Sequence, residues 1–512
     1  MSVKQPMASQ EKRYVLAIDQ GTTSCRAIVF DCDGMPVSIA QKEHTQFFPQ
    51  AGWVEHDAAE IWRTIRAVVA SALSQAEVNS GHLAAVGVTN QRETVVAWDK
   101  TTGEPLCPAI VWQDTRSQEI CDELAAESDL GVDRFRERTG LPLATYFSGP
   151  KMLWMMRNYD AVRQAAQDGR LLIGTTDSWV TWNLTGGVEN GVHITDVTNA
   201  SRTMLMNIHT CQWDNDICEQ MGITPDCLPK IVPSSGVIGH GRSQGLLAGV
   251  PIAGVIGDQQ AATFGQGCFE VGQAKNTYGT GCFMLMNTGT EPVSSAHGLL
   301  TTVAYQIEGE DPVYALEGSV AVAGSLVQWL RDNLKIISSS SEVQDLARTV
   351  DDNGGAYCVP AFSGLFAPYW RPDARGAIVG LTRFVNAGHI ARAVEEATAH
   401  QSCDVLTAME ADSGVRLSEL HVDGGMTHDA LLMQIQADLA GIDVVRPQVT
   451  ETTALGAAYA AGIAVGLWKG PEDVVAHWKE DERFSPQCTD AWRENERAQW
   501  AKAVNKTLNW VD

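Results

Sequence analysis

Basic residues are scarce in this chain, and nowhere do they cluster. Its 512 residues include 37 Lys and Arg against 62 Asp and Glu, which gives a net charge of −25 and a pI of about 4.8. A surface that follows a nucleic-acid backbone has to be basic, so no nucleic-acid partner is expected. The same negative field repels anionic substrates, so any phosphate site must be built locally.

Three further absences narrow the class of protein. None of the 12 cysteines forms a C-x-x-C pair or has a histidine at zinc-finger spacing, which favours a reducing cytoplasm. Residues 1–12 lack the apolar core of a secretory signal. The most apolar stretch, residues 454–468, is too short to span a bilayer, so a tightly packed soluble helix is favoured over a membrane pairing face. We therefore expect a cytoplasmic protein without integral membrane association, long enough for two or more domains.

The most informative motif lies near the start of the chain. A strand-like run, residues 14–18, ends on Asp19 and is followed by Gly21, Thr22, Thr23 and Ser24, after which a second strand begins. The glycine allows close backbone approach to an anion, the hydroxyl groups can donate, and Asp19 can hold a divalent cation. This is a suitable place for nucleotide phosphates, although an ordinary hairpin with a threonine-rich turn accounts for the string equally well.

The second half of the chain repeats this arrangement. Gly279-Thr280-Gly281 lies between two apolar runs, and a later strand at residues 420–422 ends at Asp423-Gly424-Gly425. The pattern predicts two α/β domains, residues 13–264 and 265–512, with nucleotide phosphates bound from both sides. The alternative is two unrelated α/β domains whose loops merely contain glycine.

Several longer strings resemble those of glycerol kinases, which belong to the FGGY carbohydrate kinase family in the actin/hexokinase-type superfamily. They are residues 19–24 (DQGTTS), 53–57 (WVEHD), 89–94 (TNQRET), 257–261 (GDQQA), 275–289 (KNTYGTGCFMLMNTG) and 423–425 (DGG). The resemblance runs from about residue 14 to residue 468. It implies an α/β fold of two ribonuclease-H-like domains flanking a catalytic cleft, and ATP-dependent phosphorylation of glycerol to sn-glycerol 3-phosphate. We also expect a homo-oligomer, either a dimer or a tetramer.

The resemblance assigns the acceptor site to residues whose chemistry suits a small polyol. Asp258, at a strand end, is the predicted general base, although alone it would be taken for a helix-cap acid. Arg92 beside Glu93 offers hydrogen-bond donors next to an acceptor, where the ordinary alternative is a surface ion pair. The aromatic members would otherwise be assigned to the core. The predicted glycerol-binding residues are Arg92, Glu93, Trp112, Tyr146, Asp258, Gln259 and Phe283.

The resemblance also implies ATP and Mg²⁺ as cofactors. Asp19 and Asp258 are the predicted residues near the metal. The predicted ATP-binding residues are Thr22, Thr23, Ser24, Arg26, Gly279, Thr280, Gly324, Gln328, Gly425 and Asp429.

The chain departs from the family pattern at several positions. Asp429 stands where glycerol kinases usually have Asn as an adenine contact, Phe366 replaces a glycine, and Arg371 reverses a charge. Residues 235–250 lack both the fructose 1,6-bisphosphate loop and the phosphorylated histidine loop of some relatives, so neither control is expected.

Three other functions stay open on the sequence. One is a kinase of the same fold acting on a pentulose, a tetritol or another sugar. Another is an actin-like ATPase that serves as an assembly module. The last is a nucleotide-binding protein without catalysis, which the intact Asp19 and Asp258 disfavour.

Overall fold

The computed structural model describes residues 13–511, so the predicted absence of a signal sequence in residues 1–12 lies outside the described residues. The chain forms two compact units. The first contains the described residues through Gly267, together with Thr302–Tyr314 and Glu451–His477. The second contains Cys268–Thr301, Ala315–Thr450 and the described residues from Trp478 onward. The chain therefore passes between the units several times.

Strands and helices alternate in both units. The strands are β1 Tyr14–Gln20, β2 Ser24–Phe30, β3 Pro36–Glu43, β4 Glu55–His56, β5 Leu83–Asn90, β6 Val95–Asp99, β7 Ala109–Ile110, β8 Leu171–Thr175, β9 Ile194–Asp196, β10 Met206–Asn207, β11 Gln212–Trp213, β12 Lys230–Val232, β13 Ser235–His240, β14 Pro251–Gly257, β15 Ala274–Tyr278, β16 Cys282–Gly289, β17 Leu300–Tyr305, β18 Val313–Val320, β19 Tyr357–Val359, β20 Ala377–Val379, β21 Glu419–Asp423, β22 Asp443–Pro447 and β23 Glu480–Phe484.

The α-helices are α1 Ala58–Gln75, α2 Gln118–Ala126, α3 Arg136–Thr139, α4 Ser148–Asn158, α5 Asp160–Gln167, α6 Thr176–Thr185, α7 Val197–Ala200, α8 Asn215–Gln220, α9 Asp258–Gly265, α10 Gly324–Trp329, α11 Glu342–Ala347, α12 Ala387–Ser413, α13 Ala430–Ala440, α14 Thr452–Ala464, α15 Pro471–His477 and α16 Asp490–Asn505.

The main sheet of the first unit has the order β13-β14-β5-β1-β2-β3. β1 pairs antiparallel with β2 and parallel with β5, β5 pairs parallel with β14, and β13 closes the edge antiparallel to β14. Every residue of β5 is buried. Parallel strands covered on both faces read as continuous apolar runs, which is how β1, β5 and β14 appear in the sequence.

The second unit repeats this pattern of strand directions. β15 pairs antiparallel with β16 and parallel with β21, β21 pairs parallel with β22, and β23 lies antiparallel to β22. The two units therefore share one core topology, with a hairpin on one side of parallel strands and an antiparallel strand at the far side. The predicted α/β fold with two related domains is confirmed.

The apolar stretch around residue 460 forms α14, which packs against β5, β14 and α9 of the first unit. Close contact requires small residues: a Cβ atom on Gly456 would lie 1.9 Å from the carbonyl oxygen of Ala261, and one on Gly87 would lie 2.1 Å from that of Ala457. Within residues 13–511, no helix has both the length and the apolar character needed to cross a membrane. The alanine- and glycine-rich composition thus serves tight packing of a helix on a sheet.

Buried histidines make the stability of the protein sensitive to acid. His400 of α12 stacks on Trp500 at 4.9 Å, and burial, assisted by Arg497, lowers its pKa to about 3. The folded pKa lies below the unfolded value of about 6.5, so the unfolded chain binds the extra proton and stability falls as the pH drops through 6.5. Between pH 7 and pH 5, the unfolding free energy of the parent should decrease by about 2 kcal/mol more than that of His400→Phe, measured by urea denaturation at both pH values. Equal losses in the two proteins would contradict this.

Candidate active site

The hairpin tip of the first unit has the backbone closure expected for a tight anion-binding loop. The N–H group of Gly21 donates to the carbonyl of Ser24 at 2.9 Å. Thr22 is partly exposed and Thr23 is exposed, whereas Ser24 is buried. Arg26, which lies opposite Asp19 in the strand register, forms an ion pair of 2.6 Å with Glu451, just before α14. The loop thus presents hydroxyl groups beside the guanidinium of Arg26, whose charge is balanced by Glu451.

Asp19 lies among other acids. Burial raises its pKa to about 7; Asp258 and Glu451 contribute in the same direction, and Arg26 opposes them. A bound cation would reduce the electrostatic repulsion among these three carboxyl groups. A magnesium ion bound to phosphate and held by one or two carboxylates is such a cation. Among residues 13–511, no cluster of three or more metal-ligating side chains has the spacing of a metal site.

Arg92 lies buried at the bottom of the predicted acceptor site. It follows β5, its side chain is 2% exposed, and its Nε lies 3.2 Å from Oδ1 of Asp258. It also donates to Oε1 of Gln260 at 3.2 Å. The Asp258 side chain, on the first residue of α9, is 32% exposed. A buried guanidinium thus fixes a carboxylate that solvent and a substrate can reach.

Glu93 is held in an unusual backbone conformation. Its φ is +61°, a region that costs a non-glycine residue energy and that tends to persist where function requires it. Its side chain is buried, its Oε1 lies 3.9 Å from Nε of Arg92, and it accepts a hydrogen bond of 2.7 Å from Nε of the fully buried Arg202. Arg92 and Glu93 are therefore not the surface ion pair of the ordinary alternative.

Trp112 and Tyr146 form a partly exposed aromatic wall rather than part of the core. Their rings meet edge to face at 5.7 Å, and the indole N–H of Trp112 donates to Oγ1 of Thr22 at 3.0 Å. The guanidinium of Arg202 lies 5.6 Å from the Tyr146 ring. Buried Lys151 donates to the carbonyls of residues 145–147, and burial lowers its pKa to about 8. Lys151 thus fixes the loop that carries Tyr146.

The predicted nucleotide residues of the second unit meet at one cavity of about 410 Å³. It is lined by Gly279, Thr280, Gly324, Gln328, Gly425 and Asp429, together with Met426, Gln344 and Glu395, among others. Gly424, with φ +92°, lets the backbone turn against Tyr278, where a Cβ atom would lie 2.4 Å from a carbonyl oxygen. Phe283 lies elsewhere in this unit, on β16 opposite Thr277 of β15, and its side chain is partly exposed.

The departures from the family pattern fit their surroundings. Asp429 caps α13: its Oδ1 accepts hydrogen bonds of 3.0 Å from the N–H groups of Leu431 and Leu432, a role that Asn and Asp fill equally well. Phe366 is not among the described residues with positive φ, so no glycine is needed there, and its ring stacks on Trp370. Arg371 forms an ion pair of 2.6 Å with Asp373.

Sequence reasoning missed three residues that contact or line the candidate sites: Arg202, Lys151 and Glu395. Arg202 lies 109 residues from Glu93, whereas Lys151 lies only four to six residues from the carbonyls it binds. None of the three belongs to a recognisable motif. The available signal was weak: a charged residue within an otherwise uncharged segment, as Arg202 is in residues 197–213.

Comparisons with known proteins identify the family. Residues 14–265 match the model of the N-terminal domain of the FGGY family of carbohydrate kinases, and residues 274–465 match that of its C-terminal domain. A glycerol kinase of Beutenbergia cavernae is 64% identical over 499 residues, covering 98% of each chain. One of Clavibacter michiganensis is 60% identical, covering 98% of this chain and 99% of its own.

Solved structures extend the likeness to the fold. A Plasmodium falciparum glycerol kinase with ADP superposes with a TM-score of 0.91 at 38% identity, covering 97% of this chain and 99% of its own. A gluconate kinase of Lactobacillus acidophilus, at 20% identity, shares the fold with a TM-score of 0.86, covering 96% of this chain and 98% of its own.

Proposed function

We propose that this chain, which belongs to the FGGY family of carbohydrate kinases, transfers the γ-phosphoryl group of ATP to a terminal hydroxyl of glycerol. The observation that carries the proposal is the accessible Asp258 carboxylate held by buried Arg92. Relatives of 58–64% identity that are named glycerol kinases support the choice of acceptor.

The acceptor site has the groups that a three-carbon polyol requires. Arg92 donates to one hydroxyl, Glu93 accepts from another, and Trp112 with Tyr146 covers the carbon face. Gln259 follows Asp258 on α9 and supplies a further amide, and Phe283 is a proposed contact from the second unit. Small ligands are oriented by a few placed polar groups against an apolar wall, so this set suits glycerol better than a larger sugar.

Asp258 is proposed as the general base. As the acceptor oxygen forms its bond to the γ-phosphorus, the bond from phosphorus to the β,γ-bridging oxygen breaks, and ADP leaves. The proton of the attacking hydroxyl passes to the Asp258 carboxylate. Phosphoryl transfer otherwise requires mainly positioning and charge neutralisation, so one base within reach suffices.

The nucleotide is proposed to lie in the cavity of the second unit. Gly279 and Thr280 would bind phosphate through backbone N–H and hydroxyl groups, as would Thr22, Thr23 and Ser24 of the first unit with Arg26. Gly324, Gln328, Gly425 and Asp429 would line the nucleoside. Mg²⁺, held by Asp19 with Asp258 near it, would neutralise the phosphate charge. The acidic surroundings of Asp19 support a cation there.

Two finer predictions go with this function. The cytoplasmic location is supported by the cysteines, none of which forms a disulfide and all of which are buried except Cys32 and Cys488. Assembly as a dimer or tetramer stays a prediction.

The direct test is ADP release with ATP and Mg²⁺, measured with and without glycerol. We expect glycerol to raise ADP release by about a hundredfold or more, because the family's acceptor competes with water at a site built to hold it. A panel with a tetritol and a pentulose serves as control. If the tetritol or the pentulose were phosphorylated faster than glycerol, that compound would be the preferred acceptor. ADP release that does not depend on any added acceptor would indicate an ATPase instead.

A further inference from the structure

Gln91 connects the proposed phosphate loop of the first unit to the proposed acceptor site through buried hydrogen bonds. It immediately precedes Arg92 and is 1% exposed, so it is too buried to contact a substrate directly. Its Oε1 accepts a hydrogen bond of 3.0 Å from the hydroxyl group of Thr94. Its Nε2 lies 3.4 Å from Oε1 of Gln20 and 3.3 Å from Nδ1 of His56, and its backbone N–H donates to the carbonyl of Gln20 at 2.7 Å. Both ends of the amide group therefore have partners.

These hydrogen bonds continue on both sides of Gln91 and meet again at Trp112. The hydroxyl oxygen of Thr94 accepts from the backbone N–H of Trp112 at 3.1 Å. The indole N–H of Trp112 in turn donates to Oγ1 of Thr22 at 3.0 Å. On the other side, Nε2 of Gln20 donates to the carbonyl of Gly21, next to Thr22, at 2.7 Å. The result is a closed network, which we call the Gln91 network, formed by Gln20, Gly21, Thr22, Gln91, Thr94 and Trp112.

An amide side chain suits the centre of this network because it accepts at one end and donates at the other. The Thr94 hydroxyl group has one proton, which it gives to Gln91, so its oxygen can accept from Trp112. The Gln91 nitrogen can only donate, so Gln20 and His56 act as acceptors. Burial lowers the pKa of His56 to about 3, which keeps its ring neutral and able to accept. An apolar side chain in place of Gln91 would open the network at this point.

We propose that Gln91 is a positioning residue for phosphoryl transfer, which fixes the indole of Trp112 relative to the hydroxyl group of Thr22. This inference rests on the proposed function in taking Trp112 as a glycerol contact and Thr22 as a phosphate contact. In-line transfer requires the acceptor oxygen and the γ-phosphorus to be aligned, and a displacement of about 1 Å can reduce the rate about a hundredfold. Gln91 thus contributes to the rate through other residues, without contacting either substrate.

The test replaces Gln91 in the full-length protein by Met, which has a similar length and no amide. We expect kcat for glycerol phosphorylation to fall about tenfold to a hundredfold, because the aromatic wall is no longer held in place. Glycerol-independent ADP release should fall by about threefold at most, because water as the acceptor needs no aromatic wall, so the ratio of the two rates decreases. By calorimetry without nucleotide, the Kd for glycerol should rise about threefold to tenfold. The Kd for ADP, whose proposed cavity is lined by other residues, should change by less than about threefold.

Two further variants make the result specific to the network. Thr94→Val opens it at a second point while keeping the shape of the side chain, and it should give the same changes. Because one break already opens the network, the double variant Gln91→Met/Thr94→Val should have a kcat within about threefold of the slower single variant. Thr181→Val is the matched control, since it removes a fully buried hydroxyl group that donates to the carbonyl of Asp177 within α6 at 2.8 Å, outside the network. It should keep the parent's ratio of rates and its affinity for glycerol.

A parent-like ratio of rates and glycerol affinity in folded Gln91→Met, or in Thr94→Val should Gln91→Met not fold, would overturn the inference. Losses that multiply in the double variant would also overturn it, because they would show two independent structural defects. Failure of the proposed function has a different result, since the parent itself would then neither bind glycerol nor release ADP in response to it. Glycerol-dependent ADP release in the parent with unchanged variants would refute the role of Gln91 alone.

Discussion

Replacing Asp258 by Asn should lower kcat for glycerol phosphorylation by about a hundredfold to ten-thousandfold, the range that general-base catalysis supplies. The amide cannot take the proton of the attacking hydroxyl, although it has nearly the shape of the carboxylate. ADP binding should change little, because the proposed nucleotide cavity is lined by other residues. Rapid-quench measurement of product formation, with ADP affinity by calorimetry, checks both statements.

Asp216→Asn provides the control for this prediction. Asp216 is an exposed aspartate of the same unit, with a side chain that is 80% exposed, so its replacement should alter neither quantity. Asp258→Asn turnover within about fivefold of the parent would contradict the base assignment, because that loss is smaller than general-base catalysis contributes. Loss of ADP binding would show that Asp258 acts mainly through the metal.

Replacing Arg202 by Met should have the second largest effect, on both stability and substrate binding. Arg202 is fully buried and donates to the buried Glu93, so its removal takes a charged hydrogen-bond partner away from a buried carboxylate. Breaking a buried pair in this way costs about 3–5 kcal/mol of unfolding free energy. We also expect KM for glycerol to rise about tenfold or more, because Glu93 would no longer be held in its orientation and the Tyr146 ring would no longer have the Arg202 guanidinium beside it.

Chemical denaturation and steady-state kinetics measure the two effects separately. Arg202→Lys keeps the charge but not the planar guanidinium. Compared with Arg202→Met, it should restore part of the unfolding free energy and reverse a smaller part of the increase in KM. A variant with reduced stability and unchanged KM would show that Arg202 supports the fold and not the polyol site.

Most residues of the proposed acceptor site were identified from the sequence, because their motifs are local. Asp258 after β14, the Arg92-Glu93 pair after β5 and the hydroxyl-rich turn after Asp19 are short strings at strand ends. The structure explains why these residues lie together, because the parallel strands end at one edge of the sheet. Gly257 also leaves room for Arg92: a Cβ atom on Gly257 would lie 2.9 Å from Cδ of Arg92. What no string records is that Glu93 has a positive φ or that Arg92 is buried.

The sequence by itself determined the family, the two α/β halves and most of the chemical groups near the proposed phosphate and polyol sites. These depend on residue types within a few positions of a strand end, where the backbone itself fixes the spacing. Only the tertiary structure decided the long-range partners, such as Arg202 and Glu93, which are 109 residues apart, and the presence of Glu395 among the residues that line the cavity of the second unit. The reason is physical, because burial and nearby charges set whether a carboxyl group keeps its proton, and both arise from packing of distant segments.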